Sequence, residues 1–555
     1  MSNLVSTARC WPLLAASLFA LLFGSPAGAA DPYKVAARVD ALLAKEAPLA
    51  TSDSSAGTGA RGIGQQVVDD ATFLRRASLD LIGQLPTPAE LTSFSLDGSA
   101  GKRAVAVERL LADQQFGVNW ARYWRDVILY RRSDERALLV APALTASLTA
   151  KFNQGARWNE VAREFITAKG DAREEGSVAI ILAQMADPAN TTAEISRIFL
   201  GVQIQCAQCH NHPTDRWKRE QFHELAAFFP RIGVRPVNTD AKRSFAVVSL
   251  DRVAGRRAPG VMEPTTLEYY MPDLEDPQAQ GKVMAPTFFP TGQKLRLGLS
   301  DAERRAKLAE WVTARGDGWF AKAYVNRMWG ELVGAGFYEP VDDMGPDRKS
   351  TAPQTLALLA NEFVSSDYDV KWLMRAIAAT AAYQSVGHSR ADSQADHPLA
   401  NCPQRLRADQ LFNSLSTVLG IDDAPLRRRP RPGKYRPGRD NVRFTINQVF
   451  GYDPSQRHEE VGGSIPQALL LMNSPDINGK IQAGRSDTRL GELLADERDN
   501  EAVAVELYLR CLAREPKASE LTTCLDHVRA TANRAQAFED ILWALVNSTE
   551  FLHRK

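Results

Sequence analysis

The chain reads as mainly α-helical, with two helical domains joined by a short β-containing segment. Three observations predict this. Apolar residues recur at helical spacing along most of the chain, as Phe73, Leu74, Ala77 and Leu81 do. Helix-start signals precede several such faces: Thr87-Pro88-Ala89-Glu90 and Ser300-Asp301-Ala302-Glu303 each set a hydroxyl at the cap and a carboxylate three residues on. Alternating, partly β-branched sequence is confined to 244–250 and 266–271, which predicts a small hairpin or sheet there. At 555 residues the chain is long enough for more than one domain.

Residues 1–30 have the form of a secretory leader. Arg9 is its positive end, and 13–23 is an apolar run too short to span a bilayer. Small residues at Ala27-Gly28-Ala29-Ala30 suit cleavage. The expectation is an exported protein, periplasmic or at the cell surface, that meets the membrane only through this leader. Residues 31–64 hold a short helix over 33–45 and a Ser/Gly-rich flexible linker over 51–62. Gly57, Gly59 and Gly62 have dinucleotide-loop spacing, but no strand precedes them and no βαβ unit follows, so that reading fails. Lys plus Arg number 67 against 66 Asp plus Glu, a net charge of +1, which leaves no electrostatic footprint for nucleic acid.

Residues 65–240 form the first helical domain. Gly83 ends its first helix, and 115–130 is a helix rich in aromatics (Phe116, Trp120, Tyr123, Trp124, Tyr130) that reads as core. A further helix is expected to start at the cap Thr191-Thr192-Ala193-Glu194 and to carry Ile195, Phe199 and Val202. Continued, its register places Cys206 and Cys209 on the same inward stripe until Pro213 stops it. Phe222, Leu225, Ala226 and Phe229 make the face of the next helix.

Cys206-Ala207-Gln208-Cys209-His210 has the C-x-x-C-H pattern of covalent haem attachment. Two thiols three residues apart can reach the two vinyl groups of one porphyrin, and the following imidazole can meet the iron as proximal ligand. A thioether or a second imidazole completes such a site, so Met262, Met271, Met284 and His223, in or near the 241–298 connector, are its candidates. Three other readings stay open. The same thiols with His210 and His212 suit zinc; they can form a disulfide; or they can act as a redox pair, although no strand–helix context of the thioredoxin type surrounds them.

The second helical domain occupies 299–555. Within its stretch 320–345, Phe320, Tyr324, Met328 and Trp329 suit a buried helix face. Asn326, Arg327, Asp342 and Asp343 lie close in sequence and can line a cleft; the alternative is an Arg–carboxylate pair that fixes a loop against the helix. Arg327, Asp342 and Asp343 are also where a hydrolytic site would sit, but no G-x-S-x-G or H-E-x-x-H accompanies them. Residues 426–440 carry seven Arg and Lys with three prolines, a solvated loop or a contact for an acidic partner. Helical faces follow at 501–513, 518–532 and 536–547. Cys511 and Cys524 can form a disulfide in an oxidising compartment, which leaves Cys402 as a buried thiol.

Taken together, FLRRASLDLIGQLPTPAE and FLGVQIQCAQCHNHPTDRWKREQFHELAAFF resemble the DUF1549 domain, the so-called planctomycete cytochrome C domain 2. FAKAYVNRMWGELVGAGF, PVDDMG, RLRADQLFNSL, SIPQALLLMNSP and LAREP resemble the DUF1553 domain that follows it in large exported proteins of Planctomycetes. The likeness covers roughly 65–555. Asn211 and Thr214 stand where that family more often has Asp and Phe, and the additional N-terminal cytochrome-like module of many members is missing. The resemblance implies haem c on Cys206 and Cys209 with His210 proximal, and a redox partner protein.

Overall fold

A computed structural model describes residues 29–46, 66–239, 242–251, 267–276, 278–316, 318–387, 401–423, 442–484, 487–496 and 498–554. Residues 1–28 of the leader, the linker, Met262 and the basic loop at 426–440 lie outside the described residues. The described chain is mainly α-helical, with small sheets of two or three strands.

Local signals explain most helix ends. The first helix is Pro32–Glu46. Asp69 caps Asp70–Ile82 by accepting from Thr72 N, and Gly83 ends it at φ +68°, a left-handed conformation that glycine adopts without a Cβ penalty. Thr87 and Glu90 form the expected capping box, as do Ser300 and Glu303. The helix around Thr191 starts earlier than expected. Pro188 occupies its first turn and Asp187 caps it, accepting from Asn190 N, so Pro188–Ile195 is the helix and Thr191 and Thr192 lie within it. Thr192 Oγ1 donates back to Pro188 O at 2.7 Å, and Glu194 is drawn to Arg197 instead of the cap.

Strands form in both alternating stretches, but each pairs with another segment rather than with the other. Ile232–Thr239 pairs antiparallel with Lys242–Ser249, in register from Ile232 with Ser249 to Thr239 with Lys242. Gly170–Asp171 adds to its other edge. A second pair joins Tyr269–Met271 to Lys282–Met284.

One apolar core gathers residues from Val35 to Tyr383, so it takes in helices on both sides of the β-containing segment. At its centre Trp124 lies 4.3 Å from Trp158, Trp158 lies 4.6 Å from Tyr324, and Tyr324 stacks on Phe363 at 5.2 Å (centroid distances). Such ring pairs contribute about 0.5–1.5 kcal/mol each beyond their burial. A second core draws on Leu406 to Phe551 together with Leu79 and Leu85. The chain end is anchored between them: His553–Arg554 pairs with Gln404–Arg405, and Arg554 Nε donates to buried Asp80 at 2.8 Å. No helix among the described residues is long and apolar enough to cross a membrane.

Cys511 and Cys524 are not bridged. Both are free and buried on the packed helices Asn500–Leu512 and Ala518–Ala530. The Cys524 thiol is engaged with the Tyr508 hydroxyl, while Cys511 points into the second core. Cys402 is buried, as the sequence suggested.

Candidate functional site

The C-x-x-C-H stretch is held outward rather than inward. The Pro188–Ile195 helix continues through one π-helical turn, Ser196–Leu200, and stops at Gly201, which has φ +65°. The cysteines are therefore off that helix and off its inward stripe. A separate 3-10 turn, Ile204–Gln208, follows. With three residues per turn, positions three apart eclipse. Ile204 and Ala207 point inward with no exposure, and Cys206 and Cys209 share an outer edge. Both thiols are exposed and free.

His210 is exposed beside them, its Nδ1 2.7 Å from Asn211 O. A carbonyl only accepts, so in the neutral ring Nδ1 carries the proton and Nε2 keeps its lone pair; this is how histidines that bind metal are usually oriented. The loop is braced from behind. Buried His223 donates from Nε2 to Gln208 O at 3.0 Å, and its Nδ1 meets the Tyr269 hydroxyl at 3.0 Å. Burial, helped by Arg219, holds the His223 pKa below the ordinary histidine range, although the bond to Gln208 pulls the other way. Burial pushes the Tyr269 hydroxyl up to about 12. Arg219 ties the loop further, donating to Gln208 O at 3.3 Å and to Pro272 O at 2.5 Å. His212 N donates to Trp217 O at 2.8 Å and closes the turn.

These contacts sort the residues named from sequence. Both ring nitrogens of His223 are engaged, so it braces the loop instead of offering a free imidazole. Met284 is buried in its strand, whereas half-buried Met271 directly precedes Pro272, which Arg219 links to the loop. Among the described residues no group of three or more His, Cys, Asp or Glu side chains is placed to hold a metal ion, so Cys206, Cys209, His210 and His212 do not converge.

The structure also unites two stretches that the sequence treats separately. The loop 340–348 packs on the C-x-x-C-H segment. Met344 N donates to Gly201 O at 2.7 Å, Arg216 pairs with Asp347 at 2.9 Å, and Arg348 Nη2 donates to Thr214 Oγ1 at 3.2 Å. A Cβ on Gly345 would meet the Asp215 carboxylate, which would have to turn aside to admit it.

Asp342, fully buried, is the hub. Its Oδ2 lies 3.1 Å from Arg197, 3.5 Å from Arg327 and 3.9 Å from Arg131, and its Oδ1 accepts from Gln203 at 2.7 Å. Burial alone would raise its pKa; the three guanidiniums overcome this and hold the carboxyl below the usual range. Arg197 also pairs with Glu194 at 2.6 Å, and Arg131 with Asp453 at 2.6 Å. Asp343 stands apart and pairs with Arg348 at 2.8 Å. Asn326 donates to Tyr338 O and Val341 O, so the Trp319–Val333 helix pins the loop. Arg327 and Asp342 thus form the loop-fixing pair. Beside them lies a cavity of about 300 Å³, lined by Arg131, Glu194, Arg197, Gln203, Gln205 and Cys206. Sequence reasoning missed Arg131, Arg197 and Gln203; only the π-helical turn, a feature common at functional sites, marks Arg197, and it is not legible in sequence.

No curated protein and no solved structure matches the chain. A family model described as a protein of unknown function, DUF1549, matches residues 61–233, and a second so described, DUF1553, matches 304–528. The chain is therefore a protein in which a DUF1549 region, carrying the exposed thiols, is followed by a DUF1553 region that supplies the loop packed against them.

Proposed function

We propose that Cys206 and Cys209 hold haem c by thioether bonds, with His210 as proximal ligand, in an exported protein that passes single electrons to or from a partner protein. One observation carries this reading: two free thiols share an exposed edge next to an imidazole whose Nδ1–H is donated to a carbonyl. That donor set fits the group. Haem, when bound, supplies a one-electron iron couple. The chain's own residues do the rest. Asn211 orients the His210 ring, His223 and Arg219 fix Gln208 O between the two cysteines, and the 340–348 loop holds the segment from the other side. Exposure of the thiols suits attachment of a group to the folded surface and electron exchange at that surface. The leader-like 1–30 supports export to the compartment where such haem is attached. The second reading, a haem-free exported binding protein with a Cys/His metal site or disulfide, has less behind it, because the donors do not converge and the thiols are free.

The test is expression of the mature chain in a host with c-type haem maturation, followed by a pyridine haemochrome assay on the denatured protein. Covalent haem is expected at one per chain, lost in the Cys206→Ser/Cys209→Ser variant. A folded, colourless protein from a competent host ends the proposal.

A further inference from the structure

The cavity beside Cys206 has a chemistry of its own. Its buried charges are already matched. Arg197 gives Nε and Nη2 to Glu194 and Nη1 to Asp342 and Ser455. Arg327 faces Asp342 and Ser455. Gln203 gives one Nε2–H to Asp342. Arg131 differs. Its Nε donates to Asp453 at 2.6 Å, and Nη2 lies 3.9 Å from Asp342, beyond hydrogen-bond distance. Among the described residues its two terminal nitrogens have no hydrogen-bond partner, and the side chain is 35% exposed. Gln205, exposed at the mouth, has an amide likewise without a hydrogen bond among the described residues.

We infer that this cavity binds a small organic carboxylate, taken by the terminal nitrogens of Arg131 with Gln205 beside them. The guanidinium fork matches a carboxylate in two parallel bonds. Glu194 and Asp342 do not repel it, because each is neutralised by a guanidinium. A volume of about 300 Å³ is at the lower end of ligand-site sizes, which limits the guest to an acid of metabolite or single-sugar size. Asp453 positions Arg131 through Nε and leaves the fork free. Cys206, which the proposed function assigns to haem, lies on its rim, so the cavity is probed in the haem-free chain.

The experiment is isothermal titration of the mature full-length chain, made in a host lacking c-type maturation so that its outcome is separate from that of haem attachment. Sodium acetate, succinate and D-glucuronate are the probes, with D-glucose and sodium sulfate as comparators. At least one carboxylate is expected to bind one per chain. Arg131→Gln is expected to weaken it about tenfold or more, since a charge-assisted bond pair is lost. Gln205→Ala, a change at an exposed side chain, keeps the test informative if Arg131→Gln fails to fold, and should weaken binding severalfold. No heat from any carboxylate at millimolar concentration overturns the inference. So does equal binding of glucose or sulfate, or unchanged affinity in either variant.

Discussion

Replacing Asp342 by asparagine tests the charge hub most directly. The substitution keeps the shape, and the amide oxygen can still accept from Gln203. What it removes is one negative charge among three guanidiniums. The wild-type group is balanced: Arg131, Arg197 and Arg327 against Glu194, Asp342 and Asp453. Asp342→Asn leaves it with a net positive charge, and among the described residues Arg327 then has no carboxylate within ion-pair distance, keeping the Ser455 hydroxyl and the Trp124 ring as neutral neighbours. Breaking a buried pair by removing one partner costs about 3–5 kcal/mol. Because Arg197 retains Glu194 and Arg131 is partly solvated, the lower end, about 3 kcal/mol, is expected. The cycle with Arg327→Gln separates charge from shape. Arg327→Gln with Asp342→Asn restores balance, so the double variant should be more stable than the sum of the singles by about 1–3 kcal/mol. Urea unfolding followed by tryptophan fluorescence reports it, since Trp120, Trp124 and Trp158 all lie in the affected core. A loss below about 1 kcal/mol for Asp342→Asn, or strict additivity in the cycle, would refute the hub. The pH dependence should agree. The folded carboxyl is held below its unfolded value, so its contribution is present above about pH 4 and is lost as pH falls through the folded pKa; the asparagine variant should lack that acid limb.

Two further predictions follow from the braces of the C-x-x-C-H loop. His223 resists protonation in the fold but takes a proton near pH 6.5 when unfolded. Stability should therefore fall as pH drops below about 6.5 and level off below the folded pKa; thermal unfolding of wild type and His223→Gln between about pH 7.5 and about pH 5 measures this, and equal slopes would sink it. Gly201→Ala forces a left-handed alanine whose Cβ meets Met344 Cε at 2.9 Å and Ala323 Cβ at 3.2 Å. A loss of about 2 kcal/mol is expected, with faster amide exchange over 201–212, and an unchanged Tm would show the strain to be absent.

Much of the architecture can be read from neighbours in the chain. Thr87 with Glu90, Ser300 with Glu303 and Gly83 each mark a helix end with atoms three or four residues apart, and such short-range chemistry survives whatever the rest of the molecule does. The C-x-x-C-H pattern and its possible chemistry are legible for the same reason. The start at Pro188 and the stop at Gly201 were also written locally; a nearer hydroxyl–carboxylate pair and the apolar spacing obscured them. Other features had no local trace. The direction in which the cysteines face depends on that stop. His223 became a brace because Gln208 and Tyr269 arrive at its two nitrogens from different segments. Arg197 and Asp342 are separated by 145 residues, and Arg131 reaches its aspartate across 322. A buried charge demands a partner but does not say where along the chain that partner lies. Composition and periodicity marked most of the residues that lie inside and the kind of element that carries them, though not the outward cysteines; packing alone decided which charges would meet there, and so where a cavity was left.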